Sequence, residues 1–165
     1  MIISFLSYVL NIDNYKLLKT VLIYGPNKSG KTNLIEGLRV FKALLKKGNV
    51  DDFPIELMKN FLVDDIKSVD FELEFLENGS IYTYGVEIHE NKKISEYLKI
   101  NDDEIFTRDS FKGNSWNNDY IDDFEVEILN KVSDNRLFIS SLDNFSISNK
   151  HLNAVTCFFN KINFF

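Results

Sequence analysis

The 165-residue sequence contains one cysteine, two histidines, two prolines, three arginines and no glutamine. Cys157 has no partner for an internal disulfide, and His89 and His151 lie too far apart in sequence to suggest a zinc cluster. This usage fits a reducing cytoplasm. No stretch approaches the ~18 consecutive apolar residues of a membrane span. The opening MIISFLSYVL is apolar for only ten residues, with no basic segment before it and no small-residue cleavage pattern after it. It therefore predicts a first strand, not a secretory signal. There is no internal repeat and no low-complexity tract. Nineteen basic and 25 acidic side chains leave a formal charge of −6, so the chain as a whole does not attract nucleic-acid phosphates or anionic lipid.

What is present describes a globular chain. Hydrophobic residues make up 44% and charged residues 27%, a balance that excludes disorder, and the length suits one domain or part of one. Fifteen Phe and seven Tyr promise a large buried or partner-facing area. The closing CFFNKINFF, with Phe158, Phe159, Phe164 and Phe165, is unusually apolar for a terminus. It predicts a chain cut or split within a folding unit, its aromatic rings facing residues supplied by another part.

Thr20 to Gly25, TVLIYG, is a short β-branched run ending at Gly-Pro, the pattern of a buried strand entering a turn. In the following TNLIEGLRVFKALLKKG, residues Leu34, Ile35, Leu38, Phe41, Leu44 and Leu45 recur at spacings of three and four and share one helix face. Lys46 and Lys47 suit the negative end of that helix, and Gly48 supplies a left-handed cap. From Val69 the period changes to two. Val69, Phe71, Leu73 and Phe75 alternate with Asp70, Glu72 and Glu74, which predicts a strand with one buried and one acidic, solvated face.

Asn78-Gly79 predicts a tight hairpin turn, Ile81–Ile88 the returning strand, and Glu90–Lys93 a second turn into ISEYLKI. Glu104–Arg108 fits a fourth strand. Lys112–Asp123 is polar around Trp116 and reads as a loop. Phe124–Leu129 fits either a strand or a helix start. From Ser148, taken as the cap, Leu152, Val155, Phe158 and Phe159 recur at helical spacing. The expected order is strand, glycine loop and helix over 1–48, an antiparallel β insertion over 66–129, and a helix over 148–165.

The motif with specific chemistry is GPNKSGKT, comprising Gly25, Pro26, Asn27, Lys28, Ser29, Gly30, Lys31 and Thr32. It matches G-x-x-x-x-G-K-[ST], the Walker A phosphate loop, at every fixed position. Its glycines let the backbone wrap closely around phosphate, so that loop N–H groups and the helix N-terminus point at the oxygens. Lys31 reaches the β- and γ-phosphates, and the Thr32 hydroxyl is a ligand for Mg²⁺. The fixed positions coincide by chance in about one chain per hundred of this length. Here the motif also follows a predicted strand and precedes an amphipathic helix, as the mechanism requires. Lys28 is either a further phosphate contact or a solvated lysine. Tyr15 and Tyr24 are candidates for stacking on a base or, more plainly, for packing.

Phosphoryl transfer also requires a carboxylate on the metal and a group that orients the attacking water. The nearest candidate is FLVDD, ending in Asp64 and Asp65, which reads better as an acidic linker pair. With no glutamine, neither a γ-phosphate-sensing Gln nor an L-S-G-G-Q loop is present, and no N-K-x-D string reads guanine.

YGPNKSGKTNLIEGLRVFKALL, FELEFLENGSIYTYGVEIHENKKISEYLKI and IFTRD together resemble the N-terminal half of the ABC-type ATPase heads of RecF/SMC-like AAA family ATPases in prokaryotes. The similar groups are those related to overcoming-lysogenization-defect and abortive-infection proteins. The resemblance runs from about Asn11 to the last helix, and only Gly25 to Thr32 carry over residue by residue. It implies an α/β fold, a partial P-loop NTPase of the ABC-head kind, together with ATP and Mg²⁺. It also implies a head-to-head homodimer or a completing C-terminal half, and an effector such as a nuclease acting on DNA or RNA through the complete protein. Walker B carboxylates, signature loop and switch histidine lie in the family's later half, so weak nucleotide binding with almost no hydrolysis is expected of this chain alone. Two other readings compete. A small P-loop kinase would need an arginine-lined lid, and Arg39, Arg108 and Arg136 are the only arginines. An interaction module would use the meander and the terminal Phe cluster to dock a partner.

Overall fold

The structure is a computed structural model that describes residues 2–5, 9–12, 15–18, 21–51, 68–145 and 147–163. It is a mixed α/β chain that divides into two compact units, Met1–Val40 and Phe41–Phe165. In the first unit, β1 (Ile2–Phe5) pairs antiparallel with β4 (Val21–Tyr24), from Ile2 opposite Tyr24 to Phe5 opposite Val21. Separately, β2 (Val9–Ile12) pairs with β3 (Tyr15–Leu18). The apolar opening run thus supplies one strand and the start of a second. A loop then leads from β4 into helix α1 (Lys31–Lys47), whose last turns belong to the second unit.

Two expectations for this region need correcting. β4 is not buried: Leu22 and Tyr24 are 51% and 45% exposed. The apolar face of α1 is buried only in its second half, since Phe41, Leu44 and Leu45 are buried while Leu34 and Ile35 are exposed. Burial requires a facing layer. The described strands of the first unit are two separate four-residue pairs, each too small to supply one.

The second unit is built on a five-stranded antiparallel meander: β5 (Ser68–Glu77), β6 (Ser80–His89), β7 (Ile94–Ile100), β8 (Asp103–Asp109) and β9 (Gly113–Trp116). Asn78 and Gly79 both take positive φ, 50° and 78°, giving the mirror-image turn whose twist matches the strands it joins. At the second turn, His89 N–H donates to the Lys93 carbonyl at 2.9 Å. The predicted face separation is present, with Val69 and Phe75 buried and Asp70, Glu72 and Glu74 exposed.

The stretch expected to be loop contains β9. Its backbone ladder on β8, not an apolar alternation, makes it a strand, helped by Ser115 Oγ donating to Glu104 at 2.7 Å. Phe124–Leu129 lies in helix α2 (Asp123–Lys131). A reciprocal capping box decides this: Glu125 N–H donates to the Asp122 side chain at 2.9 Å, and Asp122 N–H donates to the Glu125 carboxylate at 3.1 Å. A short helix α3 (Phe138–Ser141) and a 3-10 turn (Leu142–Asn144) follow, neither of them anticipated.

Helix α4 (Lys150–Lys161) is capped by Asn149, one residue beyond the predicted Ser148. The Asn149 amide oxygen accepts from His151 N–H at 2.9 Å and Leu152 N–H at 3.2 Å, leaving both first-turn donors satisfied. Phe158 stacks on Phe75 at 4.4 Å between centroids, and Phe159 is buried with its ring edge-on to Phe41 at 5.0 Å. Both rings therefore pack within this unit, Phe159 fully and Phe158 in part, where the sequence predicts rings facing residues from another part; Phe164 and Phe165 lie outside the described residues. Phe41 and Phe71 stack at 5.2 Å, joining the end of α1 to the sheet, while Tyr84, Leu98 and Phe106 line the buried face.

Candidate functional site

β4 delivers the chain to Gly25, and residues 25–30 turn it into α1. Left-handed backbone at Lys28 (φ 66°) and Gly30 (φ 84°), two residues apart, curls the loop on itself. A Cβ built on Gly30 would meet nothing within 4 Å, so the requirement for glycine there is conformational, not steric. Lys28 adopts its left-handed geometry at a cost of about 1 kcal/mol for an L-residue. The result is an open concavity of about 440 Å³ lined by Asn27 to Asn33. Gly30 O accepts the first helical hydrogen bond from Leu34 N–H at 3.2 Å.

Lys31, the first residue of α1, doubles back over the loop. Its Nζ donates to Gly25 O at 2.8 Å, Pro26 O at 2.7 Å and Ser29 Oγ at 3.2 Å. No acidic residue stands in the first turn of α1, so the partial positive charge of the helix N-terminus adds to Lys28 and Lys31 with no carboxylate of that turn against it. Thr32 follows at the second helical position and is exposed, as are Pro26, Asn27 and Lys28. Asn27 to Thr32 thus line one small concavity that holds two lysines, while Gly25 and Pro26 meet it through their carbonyls on Lys31. Tyr24 is exposed and Tyr15 half-buried, whereas Asp64 and Asp65 lie outside the described residues.

The family described as "AAA domain, putative AbiEii toxin, Type IV TA system" matches residues 21–155, most of the chain. This chain belongs to that family. The matched span of the AAA domain opens at β4, takes in the glycine loop and the whole meander, and ends within α4. No curated protein and no solved structure matches the chain. Among the described residues, no helix of this AAA domain is long and apolar enough to cross a membrane, and no group of three or more His, Cys, Asp or Glu is arranged to hold a metal ion.

The domain also contains a buried polar pair that sequence reading missed. Glu96 and Arg108 are cross-strand partners on the inner face of the sheet, 0% and 3% exposed. The Glu96 carboxylate accepts from Tyr84 OH at 2.8 Å and from the N–H groups of Phe138 and Ile139 at 2.6 and 3.1 Å. Arg108 donates to the carbonyls of Arg136, Val132 and Ser133 at 2.7, 3.1 and 2.6 Å. Burial pushes the Glu96 carboxyl above its ordinary value, against the pull of those hydrogen bonds and of Arg108. Burial likewise raises the Tyr84 phenol, with the Glu96 charge adding to it. The signal was available: Ile94, Leu98 and Ile100 alternate inward, and the same parity puts Glu96 inside.

Proposed function

We propose that this chain binds ATP with Mg²⁺ through Gly25 to Thr32, as the nucleotide-holding part of an ABC-like ATPase head. The single observation that carries the reading is Lys31, held by the Gly25 and Pro26 carbonyls at the mouth of a glycine loop that opens a helix. Membership of an AAA-domain family supports it. In this reading the backbone N–H groups of Asn27 to Lys31 and the N-terminus of α1 hold phosphate oxygens, and Lys31 leaves the loop carbonyls to reach the β- and γ-phosphates. The open concavity and the absence of acidic side chains in the first turn fit a polyanion. The Thr32 hydroxyl would be a protein ligand to Mg²⁺, which would supply neutralisation of phosphate charge when bound.

The wider role we infer is to couple nucleotide state to an effector in an abortive-infection or toxin-antitoxin setting in the cytoplasm. The family description points to that setting. A head-to-head second copy, or a completing polypeptide, would supply the metal carboxylate and signature loop, and a nuclease is the kind of effector this arrangement serves. Titration calorimetry with Mg²⁺·ATP tests the binding step. Saturable binding that weakens at least about tenfold in Lys31→Ala is expected, with ATP turnover near background. Turnover matching that of complete ATPases, abolished by Lys31→Ala, would overturn the reading of an incomplete head, and no binding at all would overturn the reading altogether.

A further inference from the structure

We propose that the groove between α2 and the α3–turn segment docks a short stretch of a partner protein carrying an apolar side chain beside a carboxylate. The groove encloses about 410 Å³. Its two walls present Phe124 and Phe145, which face each other edge-to-face at 6.0 Å and remain 53% and 43% exposed. Ile128 and Val132 add aliphatic lining. Two exposed aromatic rings beside aliphatic Ile128 and Val132 have the composition of an interface anchor pocket.

Charge selects the occupant. Lys131 on the rim is already paired with Glu127. Arg136 is different: its guanidinium makes no hydrogen bond or ion pair with the described residues, whereas Arg39 pairs with Glu36 and Arg108 is sealed in the core. A carboxylate next to an apolar anchor satisfies both features of the groove at once. A nucleic acid does not, because a groove whose lining offers Arg136 as its unpaired cation, on a chain of charge −6, cannot offset the repulsion of a phosphate backbone.

The wall that carries Arg136 is fixed in advance. Arg136 N–H donates to Ser133 O at 3.0 Å, its carbonyl is held by buried Arg108 at 2.7 Å, and Leu137 N–H donates to Gly48 O at 2.8 Å. Buried Glu96 anchors the start of α3 through Phe138 and Ile139. The two buried charges thus hold a surface segment in a set shape, which lowers the ordering cost of binding.

The test is selection of a phage-displayed dodecapeptide library on the full chain, followed by titration of the enriched synthetic peptides. Enriched sequences should combine an aromatic or aliphatic residue with a neighbouring Asp or Glu. Their affinity should fall at least about tenfold in Arg136→Glu and in Phe124→Ser, with the Arg136→Glu loss reduced at high salt. Both positions are exposed, so circular dichroism should be unchanged, and Phe145→Ser provides a second variant on the opposite wall. Enrichment of basic peptides, absence of any enriched motif, or affinities indifferent to these variants would overturn the proposal. So would concentration-dependent self-association abolished by Phe124→Ser, which would make a second copy the occupant.

Discussion

Glu96 and Arg108 stand opposite each other on the buried face of the sheet, yet neither hydrogen-bonds the other: Arg108 donates to the segment that follows α2, and Glu96 accepts from the start of α3 and from Tyr84. The carboxylate caps the start of α3, and the guanidinium collects the carbonyls of residues 132, 133 and 136. A negative charge at a helix N-terminus and a positive charge among free carbonyls are each electrostatically favourable. The pair therefore ties the helical layer to the meander.

Replacing Glu96 with Ala leaves the Tyr84 hydroxyl and two backbone N–H groups without their buried acceptor, and is expected to cost about 3–5 kcal/mol. Glu96→Gln keeps an acceptor and should cost about 1–2 kcal/mol. The pH dependence has a definite sign. A carboxyl raised in the folded state binds its proton more tightly there than in the unfolded chain, so its contribution favours folding at low pH. That contribution declines as pH rises from its ordinary value of 4.5 through the raised one, then stays constant. Urea denaturation across that window should show wild type losing stability relative to Glu96→Gln as pH rises.

Arg108→Lys is not conservative here. A guanidinium spans three carbonyls from two sides, whereas an ammonium on a shorter reach cannot. We expect a loss of about 2–4 kcal/mol. Faster amide exchange should be concentrated at Arg136 and Leu137, with the β5–β6 ladder unchanged, as measured by hydrogen exchange.

Gly85 lies under the ring of Tyr97. A Cβ there would sit 2.3 Å from Tyr97 Cε1 and Cζ, and the Tyr97 hydroxyl is itself tied to Glu72. Gly85→Ala should destabilise by about 1–2 kcal/mol, and most of that loss should vanish in a Tyr97→Ala background, a coupling that a double-mutant cycle reads directly.

The Asp122–Glu125 capping box accounts for α2 beginning where it does. Asp122→Ala should lower stability by about 1 kcal/mol, and Glu125→Ala should be no milder because Glu125 also accepts from Asn149 Nδ2 at 2.8 Å. Thermal unfolding of the two variants and their double would measure it.

Strands with strong alternation, such as Ser68–Glu77, and the Asn78-Gly79 turn were legible because side-chain period and turn geometry are local properties. β9 was not, since Gly113, Asn114 and Ser115 carry no apolar pattern and owe their extended form to the β8 ladder. The D-x-x-E signal before Val126 was legible in principle and decides helix over strand. Burial of β4 was misjudged because composition alone does not reveal whether a facing layer exists. Phe158 and Phe159 were misjudged likewise: an apolar end resembles an interface until the sheet it packs on is known. In the candidate site, the order of strand, glycine loop and helix was readable from spacing. The return of Lys31 onto Gly25 and Pro26 depends on the left-handed backbone at Lys28 and Gly30, and was not.

If Gly25 to Thr32 hold the phosphates of ATP as proposed, their backbone amides must respond to nucleotide. Titrating the ¹⁵N-labelled chain with Mg²⁺·ATP and following its backbone amides tests it most directly. Saturable shifts are expected, largest at Ser29, Gly30, Lys31 and Thr32, competed by ADP and lost in Lys31→Ala, with the β5–β8 amides unmoved. Loop amides that stay in place at saturating nucleotide, or shifts confined to the sheet, would contradict it.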